Sequence, residues 1–205
     1  MATLLQVNNV EIDKASSLFF SLAAGEKCVL EVPSAEAAAA VVDLILGERV
    51  SVTGEILLLG QSLEISKRGT IGFIPAMGGL ISNLKAWENI TLPLWYYNGR
   101  QRVATEEAVA RWLIELGMDK EELEKFMASP AASLKPWERK MAGLLRGLVQ
   151  APQLILIDAG LFDEVETARL QLWITVLEKF VGEVKDRALL VIASSATSLP
   201  WRKLE

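Results

Sequence analysis

The sequence predicts an α/β fold, a sheet with much of its pairing parallel and helices covering both faces. Two short runs, Leu154-Ile-Leu-Ile157 and Ala188-Leu-Leu-Val-Ile192, are fully apolar, as strands buried on both faces must be. Stretches with apolar residues at helical spacing separate such runs, Trp137, Met141, Leu144, Leu145 and Leu148 being the clearest. The chain has 205 residues, 51% apolar and 23% charged, enough to bury a core in one compact domain with a small subdomain.

Taken in order, Lys27-Cys-Val-Leu-Glu-Val32 reads as a strand. Ser34 to Leu46 reads as a helix stopped by Gly47, with the alanine run Ala37 to Ala40 inside it. Gly54 to Leu59 and Gly69 to Ile74 read as strands, each beginning at a glycine. The stretch from Ala76 to Arg102, rich in Gly, Asn and aromatics, has no clear period. Thr105 is the expected N-cap of a helix to Leu116, where Ala108, Trp112 and Leu116 share a face and Gly117 ends it. Asp119 followed by Glu122 resembles a capping box opening a short helix to Met127. The Trp137 stripe makes a strong amphipathic helix that stops near Pro152. Leu170, Trp173, Leu177, Phe180 and Val181 form another helical stripe.

Composition removes whole classes of chemistry. The chain has no histidine, so it has no Ser-His-Asp triad, no Cys-His pair and no His-ligated metal. The one cysteine, Cys28, lies in an apolar run and is expected to be a buried thiol without a catalytic task. A net charge of −5 with no basic face argues against nucleic acid. No apolar run is long enough to span a bilayer and no signal peptide is legible, so the expected location is cytoplasmic.

The segment Gly25 to Ala40, with Leu44-Ile-Leu-Gly47 and Thr53-Gly-Glu-Ile-Leu-Leu-Leu-Gly60, resembles the first strand and phosphate-binding loop of ABC transporter ATPase domains. Further on, Arg146-Gly-Leu-Val-Gln-Ala-Pro152 and Leu154-Ile-Leu-Ile-Asp158 are similar to that family's Arg-Ala-Leu-x-x-x-Pro and Walker B strand. The likeness runs to about Ser195. It implies a P-loop-NTPase-like sheet covered by helices, residues 1–205 as one such domain, and a helical subdomain at about 80–136.

The family's chemistry is missing from this frame. Its loop reads Gly-x-x-x-x-Gly-Lys-Ser/Thr, so that main-chain N–H groups wrap phosphate, the lysine reaches the terminal phosphates and the hydroxyl holds magnesium. Here the glycines fall on Val32 and Ala37, the lysine on Ala38 and the hydroxyl on Ala39. Ser34 and Ala35 lie between them, with Glu36, whose carboxylate repels a phosphate and suits the first turn of a capped helix. Ala76 stands at the magnesium-contacting glutamine, Ala159 at the catalytic glutamate and Ser194 at the switch histidine, while Asp158 is retained. The signature Leu-Ser-Gly-Gly-Gln aligns with Leu134-Lys135-Pro136-Trp137-Glu138, where Pro has no N–H and Trp blocks close approach. No aromatic between Leu4 and Ser17 can stack on adenine.

These losses imply a catalytically inactive ABC subunit with a structural or regulatory role, without cofactor or metal. The alternatives are a freestanding interaction module on an ABC scaffold, or a weak nucleotide binder using unusual contacts at the Ser34 helix start. Expected partners are a transporter permease, a second ABC-like subunit or a second copy of this chain, with the membrane reached through the permease. The expected contact surface spans Met77 to Tyr97. It includes Met77, Leu80, Trp87 and the cluster Trp95-Tyr96-Tyr97, of which at least one ring must be exposed.

Overall fold

A computed structural model describes residues 2–13, 16–63, 69–98 and 102–204. The strands are β1 (Thr3–Asp13), β2 (Ser16–Ala23), β3 (Lys27–Glu31), β4 (Glu55–Leu58), β5 (Gln61–Ser62), β6 (Ile71–Ile74), β7 (Leu154–Asp158), β8 (Ala188–Ala193) and β9 (Arg202–Leu204). The helices are α1 (Ala35–Leu46), α2 (Ala86–Asn98), α3 (Arg102–Glu115), α4 (Lys120–Ala128), α5 (Pro136–Gln150) and α6 (Thr167–Gly182). Two compact units result, one built from Met1–Ile71, Gln153–Ala159 and Val181–Glu205, the other from Gly72–Pro152 and Gly160–Phe180. Among the described residues, no helix is long and apolar enough to cross a membrane.

The first unit holds two sheets. β7, β8, β3 and β9 lie side by side and parallel, and β8 is buried along its whole length. This is the sheet that the apolar runs predict. Cys28 lies fully buried in β3, where loss of water pushes its thiol upward in pKa despite the opposing charge of Arg202. The second sheet is antiparallel, in the order β2-β1-β4-β5. Gly54 precedes β4 at φ +70°, and a Cβ there would lie 2.1 Å from the Asn8 carbonyl oxygen, so glycine lets the two backbones meet.

The second unit is helical around α5, which packs against α2 and α3. Met141, Leu144, Leu145 and Leu148 are buried as the stripe predicts. Asp119 caps α4 by accepting the Glu122 N–H at 2.9 Å. One expectation fails here: Thr105 is not an N-cap, because α3 begins three residues earlier, at Arg102. Arg102 and Ala104 are good helix formers, and the helix extends back past Thr105.

Candidate functional site

The turn from β3 into α1 carries the residues that the resemblance sets at the phosphate loop. The chain leaves β3 at Glu31, and α1 starts at Ala35, so Val32, Pro33 and Ser34 are the whole connection. Of the positions that the resemblance assigns to a phosphate loop, Ala35 to Ala39 are already helical. Ser34 is the N-cap, with extended backbone, and its hydroxyl accepts the Ala37 N–H at 3.2 Å. The Ala38 N–H donates to the Ser34 carbonyl at 3.0 Å. Two N–H groups that a phosphate would need are thereby used within the chain. Hydrogen bonding from the main chain and from Ser34 favours the ionised Glu36 carboxylate and holds it below the usual carboxylate range. The helix start therefore carries an anion of the chain's own. Ala38, at the lysine position, is half-buried, and Ala39 is exposed.

The parallel pairing brings three more of the sequence-predicted residues to the same edge of that sheet. Glu31 stands in register with Ala193, and Asp158 with Ile192. Ser194, which follows β8, and Ala159, which follows β7, thus lie beyond the C-terminal ends of neighbouring strands, as does Ser34 beyond β3. Ser194 is exposed, while Asp158 and Ala159 are half-buried. Glu31 accepts from Lys203 Nζ at 2.6 Å and from the Thr197 N–H at 3.2 Å, tying the chain after β8 to this edge. Ala76, half-buried, belongs to the turn after β6 in the helical unit.

The signature positions open α5. Leu134 is buried, Lys135 is the N-cap and Pro136 the first helical residue, where its missing N–H costs nothing. The Glu138 carboxylate accepts the Lys135 N–H at 2.7 Å, so this helix start too carries a carboxylate of the chain's own. The Trp137 ring is covered by the Arg169 guanidinium, 3.8 Å from its centroid. Two cations have burial and partners that a reading of the sequence does not give. Lys140 looks like a solvated lysine beside the apolar stripe but is buried. Arg146, placed by its motif, donates to the carbonyls of Gly79 at 2.8 Å and Gly78 at 2.9 Å, and burial lowers its pKa.

On the expected partner surface, Met77 is 54% exposed and Trp95 55%, whereas Leu80 and Trp87 are half-buried. Tyr96 and Tyr97 continue α2, and their side chains lie outside the described residues. Ile81 and Leu92 add to the exposed apolar area. Asn89 shapes the loop before α2. It is fully buried, its Oδ1 accepting the Ile81 N–H at 2.7 Å and its Nδ2 donating to the carbonyls of Ile81 and Lys85 at 3.0 and 3.1 Å.

The fold defines a class: it is the one seen in solved ATP-binding subunits of ABC transporters. It is similar in structure to cbiO1 from Clostridium perfringens, part of the ABC transporter complex cbiONQ, with a TM-score of 0.73 and 13% identity over 95% of this chain and 80% of that one. An ATP-binding subunit of an ABC transporter gives 0.77 and 18% identity, over 93% and 79%. In sequence the chain is 30% identical over 117 residues to the ergothioneine transport ATP-binding protein EgtV of Helicobacter pylori (strain G27). That stretch is 56% of this chain and 53% of the relative, so the match spans about half the length of that curated protein. No protein-family profile matches the chain.

Proposed function

We propose that this chain is a non-hydrolysing, structural or regulatory member of an ABC-type transporter assembly, working on the cytoplasmic side and reaching the membrane through a permease. The similarity to ABC ATP-binding proteins supports the transporter setting. The loss of hydrolysis rests on one observation above the others: the start of α1 uses its N–H groups on Ser34, the Ala37 N–H on the hydroxyl and the Ala38 N–H on the carbonyl, with Glu36 in the same first turn. With alanine at Ala38 and Ala39, neither a lysine ammonium nor a magnesium-holding hydroxyl is available there. A neighbouring subunit with intact motifs would not repair this. In the ABC arrangement each nucleotide lies between one subunit's phosphate loop and the other's signature, and this chain departs from the pattern in both.

Calorimetric titration with magnesium and ATP tests the reading. No saturable binding is expected up to millimolar concentration. A dissociation constant below about 1 mM would mean roughly 4 kcal/mol of specific contacts, and would replace this reading with that of an unconventional nucleotide binder.

A further inference from the structure

Lys140 lies in the second turn of α5, with 5% of its surface exposed. Its Nζ donates to the carbonyl of Gly160 at 2.8 Å and to that of Asp163 at 2.6 Å. Both acceptors are main-chain oxygens of one short segment, which leads from the end of β7 into α6. Within that segment Leu161 and Phe162 are buried, so apolar packing and the ammonium hold it together. The Asp163 N–H returns to the same Gly160 oxygen at 3.3 Å, closing a tight turn. The next residue, Glu164, has φ +56°, the left-handed region that a side chain with a Cβ enters at a cost. Glutamate there persists when its surroundings over-determine the backbone. A buried ammonium persists when its donors are satisfied. Each of these demands is met by the other: the carbonyls that satisfy Lys140 belong to the turn whose strain needs holding.

We propose that Lys140 is a conformational latch. Its ammonium fixes the Gly160–Glu164 turn in a strained conformation, and without it the turn relaxes into a second arrangement. The latch lies within one unit of the fold and does not depend on whether the chain binds nucleotide.

Hydrogen exchange on the full chain, read by mass spectrometry, tests it. Lys140→Met keeps the apolar stem and removes the ammonium. Peptides covering 159–166 should then exchange about tenfold faster or more, with β8 unchanged. Should Lys140→Met melt too low for native exchange, Lys140→Leu, which likewise has no donor, is read by the same criterion. The strain has its own measurement. Glu164→Gly and Glu164→Ala both remove the carboxylate, but only glycine adopts this φ freely, so the glycine variant should melt higher. Local quickening with glycine above alanine supports the latch. Exchange over 160–164 as slow as in the parent chain, or an alanine variant melting at or above the glycine one, overturns it.

Discussion

A carboxylate at the start of a helix meets N–H groups that no carbonyl within the helix can take. Glu36 occupies that place in α1, two residues after its cap. Hydrogen bonding from the main chain and from Ser34 favours the ionised form, which lowers its pKa on folding. A lowered pKa contributes stability that is fully present above the unfolded value. That contribution is lost as pH falls through the folded one. Glu36→Gln should therefore melt below the parent protein at neutral pH, and the gap should narrow as pH falls below the unfolded carboxyl's value of about 4.3 and close once the folded carboxyl protonates too. Glu36→Lys should melt lower still at pH 7, because it sets a cation against the positive end of the helix. If both variants melt with the parent, the carboxylate does not complete the helix start.

At the scale of elements, α5 shows what close packing demands. Gly143 faces Gly78 so closely that a Cβ on Gly143 would lie 2.3 Å from the Gly78 Cα. Gly78 itself has φ +77°, and a Cβ there would meet the Arg139 carbonyl oxygen at 2.2 Å. Gly143→Ala gains helix propensity yet should lower stability by about 1–3 kcal/mol in urea denaturation, because backbone on both sides must shift. An unchanged midpoint would mean that the turn at Gly78 yields freely. This same helix was legible in the sequence, because its stripe is regular and Pro152 lies just past its end. α1 and α4 were legible for similar reasons, through Ser34, Gly47 and Asp119. The hairpin of β1 and β2 was not. Its register shifts between Thr3 and Leu5 and between Val7 and Val10, and Asn9 has φ +52°, so Leu4 and Leu5 are both buried and the alternation of a strand is lost. α2 hid for another reason: Pro93 lies inside it, and Asn89 and Thr91 are buried on local hydrogen bonds, which makes a helix read like a loop. The candidate site was legible only as the positions that a resemblance assigns. Its own carboxylates on two helix starts and the buried Lys140 were not, since burial and bond partners depend on neighbours distant in sequence.

For the molecule as a whole, the question under the proposed non-hydrolysing role is which surface does the work. In the helical unit, Met77, Ile81, Leu92 and Trp95 are large apolar side chains left in water. Glu88, Leu92 and Trp95 follow one another at spacings of four and three along α2, so they share a face of that helix. Ile81 is presented from a loop that Asn89 ties to the same helix, which gives the patch a rigid frame. A tryptophan that is 55% exposed offers a large rigid area at small entropic cost, as protein-binding surfaces use it. Trp95→Ala removes that area without opening a cavity, so the melting temperature should hold within about 2 °C while association weakens by about tenfold or more. Sedimentation reads association with a second copy of this chain. Pull-down against a permease or an intact ABC subunit reads the heterologous case. Unchanged association in both assays would remove this face from the list of working surfaces, because the residue that contributes most apolar area there would then bind nothing.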